Sequence, residues 1–150
     1  MIDYKITTEE DIDLLMESRL VMLREVNDLS EDYKYSEDFI DYSKDYFLSG
    51  DQTTVLAFDG EQWIGCASIS YIRVMPTFDH VSGKRAHLMN VYTRPEYRGK
   101  GIAYKMADLL IKEAWERGVT EVSLDATEAG RPLYRKLGFN DSTECMVLTK

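Results

Sequence analysis

The 150 residues predict an α/β fold, a mixed central β-sheet flanked by α-helices in a single domain, and three observations carry that prediction. Apolar residues recur at helical spacing after Ile12 and again after Ile102. Two runs rich in β-branched and aromatic residues flank the hairpin dipeptide Asp59-Gly60. Between residues 86 and 126 the order is strand, helix, strand, which makes a right-handed crossover within one sheet. A hairpin needs antiparallel neighbours and a crossover needs parallel ones, so the sheet is mixed. At about 100–200 residues per domain, one domain over 1–150 fills the length.

The elements follow in order. Tyr4 to Thr7 reads as a short strand, and Thr7-Thr8-Glu9-Glu10 fits a capping box. Ile12, Leu15, Met16, Leu20, Leu23 and Val26 then give a helix of about 18 residues. Ser36 caps a second helix from about Glu37, with Phe39, Ile40, Tyr42, Tyr46 and Phe47 as its apolar content and Gly50 as its stop. Thr53 to Phe58 and Trp63 to Tyr71 are the hairpin strands, and Arg73 to Lys84 is a loop. Ala86 to Thr93 reads as a strand stopped by Arg94-Pro95. A long helix covers Gly101 to Arg117, with Ile102, Met106, Leu109, Leu110, Ala114 and Trp115 on its buried side and Gly118 as its end. Val119 to Ala126 is a strand, Arg131 to Leu137 a short helix, and Cys145 to Leu148 a last strand.

Charge is unevenly spread. Residues 1–50 carry 14 Asp/Glu against 5 Lys/Arg, while the two later thirds are close to balance. Such an acidic chain lacks the basic footprint that binding to phosphodiester backbones requires, so no nucleic-acid partner is expected. No window approaches a membrane span, and the N-terminal residues have neither a basic nor an apolar leader segment, so a cytoplasmic location is expected. Cys66 and Cys145 are too few for a disulfide framework and are expected to be plain buried thiols.

The segment Arg98-Gly99-Lys100-Gly101-Ile102-Ala103 lies between a strand and the N-terminus of the long helix. Glycines there let a ligand approach the backbone, and the first helical N–H groups are unpaired. Arg94, Arg98, Lys100 and Lys105 against Glu96 make this spot positive, so it reads as a polyphosphate site. A P-loop would need Ser or Thr after Lys100, where Gly101 stands, and a dinucleotide fingerprint would need glycine at Tyr104. Neither motif fits.

Val91-Tyr92-Thr93-Arg94-Pro95-Glu96-Tyr97-Arg98-Gly99-Lys100-Gly101-Ile102-Ala103 resembles the acetyl-CoA signature of the GNAT family of N-acetyltransferases, a strand with a β-bulge followed by Arg/Gln-x-x-Gly-x-Gly/Ala. Leu133-Tyr134-Arg135-Lys136-Leu137-Gly138-Phe139 is similar to a second segment of that family. The resemblance implies acetyl-CoA as acetyl donor. Its pyrophosphate would lie on the backbone of Arg98 to Ala103, including Gly99, Lys100, Gly101 and Ile102, and its pantetheine arm along Val91, Tyr92 and Thr93. Tyr134 occupies the family's position for a general acid that protonates the departing thiolate. Direct attack of the primary amine of a small cationic acceptor is implied, with no covalent enzyme intermediate; His80 has no second ligand pattern near it, so no metal is expected.

The family's frequent Glu is absent from the strand before the turn, leaving His87 as its one residue that titrates near neutrality. Glu25, Glu31 and Tyr33, at the end of the first helix and in the following loop, are further candidates for the acceptor side. The acidic excess nearby suggests a small cationic amine as partner. The resemblance also raises a homodimer joined through Cys145 to Leu148. Two alternatives stay open: a non-catalytic acyl-CoA sensor or interaction domain, and a transferase for a longer acyl group or a hydroxyl acceptor.

Overall fold

A computed structural model describes residues Met1–Lys150. In chain order the elements are β1 (Ile2–Ile6), α1 (Ile12–Val26), α2 (Glu37–Leu48), β2 (Gln52–Asp59), β3 (Gln62–Arg73), β4 (Lys84–Thr93), α3 (Ile102–Glu116), β5 (Glu121–Ser123) and α4 (Arg131–Lys136). The five strands form one sheet in sequence order, antiparallel from β1 to β4 and parallel between β4 and β5. The mixed sheet expected from the hairpin and the crossover is therefore present. No helix is long and apolar enough to cross a membrane.

Strand alternation divides the core between two faces. On one side Val55, Ala57, Ile64, Ala67, Ile69, Ala86 and Leu88 pack with Ile102, Met106, Leu110 and Ala114 of α3. On the other, Leu56, Trp63, Cys66 and Tyr92 pack with Leu15, Met16 and Met22 of α1 and Phe47 of α2. The amphipathic stripe of α3 is what buries it, and Trp115, expected on that stripe, is half exposed because it follows Ala114 by one position and turns off the face.

Helix entries follow the local chemistry. Ser36 accepts from the Phe39 N–H at 3.1 Å and starts α2. At the first helix, a 3-10 turn over Glu9–Asp11 precedes α1, and the Asp11 carboxylate accepts from the Thr8 N–H at 2.9 Å. The reciprocal capping partner is thus Asp11, one residue beyond the expected box. The Lys5 ammonium at 2.7 Å holds the Asp11 carboxyl below its ordinary range.

Three expectations are corrected. The strand expected over Val119 to Ala126 spans only Glu121–Ser123. Val119 is buried, and its N–H still bonds Ala114 O at 3.0 Å as part of the exit of α3 through Gly118. No strand forms at Cys145 to Leu148, where Met146, Val147 and Leu148 are exposed. A β-prone run needs a neighbouring strand to pair with, and this one has none. Cys66 is buried as expected, whereas Cys145, in the same tail, is exposed.

Candidate active site

The site is built around an irregularity in β4. Cys66 pairs with Tyr92 and Ser68 with Met89, so Ala67 alone faces two residues, Asn90 and Val91. Asn90 takes φ +58, a left-handed conformation that asparagine tolerates better than most side chains. Its carbonyl leaves the ladder and accepts the Cys66 thiol at 3.2 Å, while its side-chain oxygen accepts from Arg19 Nη1 on α1. Burial pushes the Cys66 thiol up to about 12, which makes it a hydrogen-bond donor and not a nucleophile. The bulge restores alternation: Leu88 and Val91 face the α3 side, and Tyr92 faces α1.

On the β5 side the sheet opens just before this bulge. β4 and β5 pair only at Arg85–Glu121, Ala86–Val122 and His87–Ser123, after which they diverge. Arg94 N–H bonds Ile64 O at 2.8 Å, toward β3, so the backbone groups of Val91 and Thr93, of opposite parity, point to the open side. Thr93 O there accepts from Arg98 Nε at 2.9 Å. The resulting cleft has a volume of about 360 Å³ and is lined from one face by Arg19, Met22 and Leu23, along β4 by His87 to Tyr92, and across the gap by Asp125, Thr127 and Tyr134.

Tyr134 reaches the gap from α4. Its ring packs edge-on against Phe139 at 6.0 Å and its hydroxyl has no protein hydrogen-bond partner. Burial raises its pKa, so the phenol is held protonated at neutral pH. Gly130 makes room for the ring: a Cβ there would lie 3.0 Å from Tyr134 Cε2.

At the far end of β4 the chain makes the turn into α3. Gly99 and Gly101 have φ +76 and +79, with only open space where a Cβ would stand. The first intrahelical bond runs from Lys105 N–H to Gly101 O, so the amides just before it are free, and no acidic residue occupies the first turn. Arg98 lies over the Tyr92 ring and Lys100 over Tyr97. A larger hollow of about 730 Å³ adjoins the turn, walled by Tyr92, Arg94, Arg98 and Glu25. Free amides, glycines open to approach and three cations fit a diphosphate here.

The residues expected on the acceptor side separate into three places. His87 lies in the cleft, its Nδ1 2.8 Å from Ser123 Oγ and its Nε2 3.6 Å from Asp125 Oδ2. Glu25 lies instead at the hollow beside the turn, accepting from the Tyr92 hydroxyl and from Arg94 Nη1 at 3.4 Å. Glu31 and Tyr33 sit in the exposed loop after α1, where their carbonyls accept from Arg24 and Tyr33 stacks edge-on with Tyr35 at 5.3 Å. Asp125 is the one carboxylate lining the cleft, so the acidic excess of the first third lies outside it. Sequence reasoning missed Arg19, Asn90, Asp125 and Gly130. Arg19 had a legible signal, since it interrupts the apolar spacing between Met16 and Met22 on α1; Asn90, inside a strand-like run, had a weaker one.

Comparisons with known proteins agree with this geometry. The model of the acetyltransferase (GNAT) family matches residues 20–139. A thialysine N-epsilon-acetyltransferase of Bos taurus is 27% identical over 128 residues, covering 81% of this chain and 75% of that one. A glucosamine 6-phosphate N-acetyltransferase of Trypanosoma brucei brucei is 32% identical over 76 residues, about half of each chain. Among solved structures, a predicted acetyltransferase of Clostridium acetobutylicum, crystallised with acetyl-CoA, superposes with a TM-score of 0.84 at 31% identity, covering 99% of this chain and 96% of that one.

Proposed function

Since the chain belongs to the acetyltransferase (GNAT) family, we propose that it moves the acetyl group of acetyl-CoA to the primary amine of a small acceptor, by direct attack and without an acyl-enzyme. The observation that carries this reading is the split between β4 and β5, with a glycine-rich, cation-bearing turn at one end and the unpartnered Tyr134 hydroxyl across its middle. The Clostridium protein crystallised with acetyl-CoA and the named amine acetyltransferases among the relatives support the donor and the acceptor type.

Acetyl-CoA supplies an activated thioester. The amides and cations of Arg98 to Ala103 hold its diphosphate, and the open-side groups of Val91 and Thr93 pair with its arm as an added strand would. The amine arrives as an ammonium ion. At a pKa of about 10.4 only about one part in 2,500 is neutral at pH 7, roughly 5 kcal/mol from the nucleophilic form. His87, oriented by Ser123 and beside Asp125, takes that proton, and Asp125 attracts the ammonium end of the acceptor. The neutral amine adds to the thioester carbonyl, the C–S bond then breaks, Tyr134 donates its phenolic proton to the departing sulfur, and its phenolate recovers a proton, the one the nitrogen sheds as the amide forms. Cys66 is excluded as an acyl carrier by its burial and its bond to Asn90.

The test incubates the protein with isotope-labelled acetyl-CoA and primary amines and identifies labelled products by mass spectrometry. We expect an N-acetylated amine from the wild type and about 10²-fold lower kcat in Tyr134→Phe, with the KM for acetyl-CoA changed less than about twofold. Wild-type turnover by the variant removes Tyr134 from the chemistry. Binding of acetyl-CoA without transfer to any amine favours the sensor reading.

A further inference from the structure

One charge in the cleft has no counter-charge. Arg19 sits half-buried on α1 and lines the cleft wall, yet it forms no ion pair; its sole protein hydrogen bond is the one to the Asn90 side chain. A guanidinium carries five N–H donors, so most of its capacity is unused. The ionisable groups that act on it are Cys66, Tyr46 and Tyr35. None of them is a carboxylate: burial raises the Cys66 thiol and the Tyr46 phenol, and the Tyr35 hydroxyl donates to Leu20 O at 2.7 Å. Burial without compensation disfavours the charged form of Arg19 and lowers its pKa, a cost the fold keeps on a surface that faces open space.

We propose that Arg19 is a specificity-determining residue that binds an oxyanion, a carboxylate or phosphate, carried by the acceptor itself, so that the natural acceptor bears both a primary amine and an anionic group. The inference rests on the acetyltransferase reading of the same cleft. The donor does not supply this anion, because its phosphates belong at the turn beyond the end of β4, whereas Arg19 is fastened to Asn90 inside the strand. Charge runs the opposite way at the other end of the cleft, where Asp125 stands beside His87. His87 and Asn90 are three residues apart on β4, at most about 10 Å by the usual strand rise and less across the bulge, which suits an acceptor with a chain of several carbons between amine and anion.

The experiment uses the full-length protein, acetyl-CoA and two matched pairs of acceptors: 6-aminohexanoate with 1-aminohexane, and 5-aminopentyl phosphate with 5-amino-1-pentanol. We expect kcat/KM to favour an anionic member by about 10- to 100-fold in the wild type, the pair with the larger ratio telling carboxylate from phosphate. In Arg19→Gln that ratio collapses toward one, and in Arg19→Lys part of it survives. Melting temperature and acetyl-CoA binding of both variants establish that they are folded. Acetylation of all four amines with no anionic preference overturns the role of Arg19 alone. A loss in Arg19→Gln that is equal for both members of a pair places the residue in support of the bulge and also overturns it. Failure to acetylate any of the four overturns the transferase reading, and the inference falls with it.

Discussion

Individual side chains in this protein owe their chemistry to one backbone irregularity. Asn90 in the left-handed region turns its carbonyl to Cys66 and its amide side chain to Arg19, which ties together three residues from three elements where β4 borders the cleft. His87 is positioned separately, by the pairing of β4 with β5 that brings Ser123 to its Nδ1. If His87 removes the ammonium proton, His87→Gln lowers kcat/KM for the amine by about 10²-fold with the KM for acetyl-CoA changed less than about twofold. Steady-state rates of the variant decide it, since wild-type kcat/KM for the amine assigns the proton transfer elsewhere. How much of this was legible depended on locality. Tyr134 belongs to a contiguous segment and could be singled out from sequence, whereas Asp125 enters the site only because the sheet opens beside it, which no run of residues reveals.

At the scale of elements, the turn from β4 into α3 was the most readable part, because glycines, cations and helix start all lie within Arg98 to Ala103. Gly101 caps α3 in the left-handed region, so Gly101→Ala costs about 1–2 kcal/mol of backbone strain and displaces the amides that follow. Denaturant unfolding should report that loss, and the KM for acetyl-CoA should rise; unchanged values of both would show that the turn relaxes at no cost. The C-terminal tail was misread for the converse reason. Cys145 to Leu148 has strand-like residues, but strand formation is decided by a partner edge and not by the run itself. β5 was overextended likewise: its first apolar residue, Val119, is taken up by the exit of α3, and its last residues leave the ladder.

Across the whole molecule, helices cover both faces of the sheet and bury several phenols with the core. Tyr71 and Tyr92 are pushed up to about 12, chiefly by burial, with Glu113 and Glu25 respectively adding to the effect, and Cys66 also to about 12 by burial. Groups whose folded pKa lies above the unfolded value, about 10 for tyrosine and 8.5 for cysteine, favour the native state fully at lower pH. That contribution is lost as pH rises through the folded values, so the melting temperature should fall between about pH 9 and 12. Thermal melts paired with tyrosinate absorbance test this, and a melting temperature constant to pH 12 would contradict it. The overall α/β plan was legible because period and turn chemistry set it locally, while the cleft was not, because α1, β4, β5 and α4 meet there from distant parts of the chain. The early end of the β4–β5 ladder has an evolutionary side. Three paired positions are kept and the rungs beyond them are forgone, each worth about 0.5–1.5 kcal/mol net. Selection for heat resistance alone would favour zipping those strands together, and the opening keeps stability below its attainable ceiling at the place where the cleft lies.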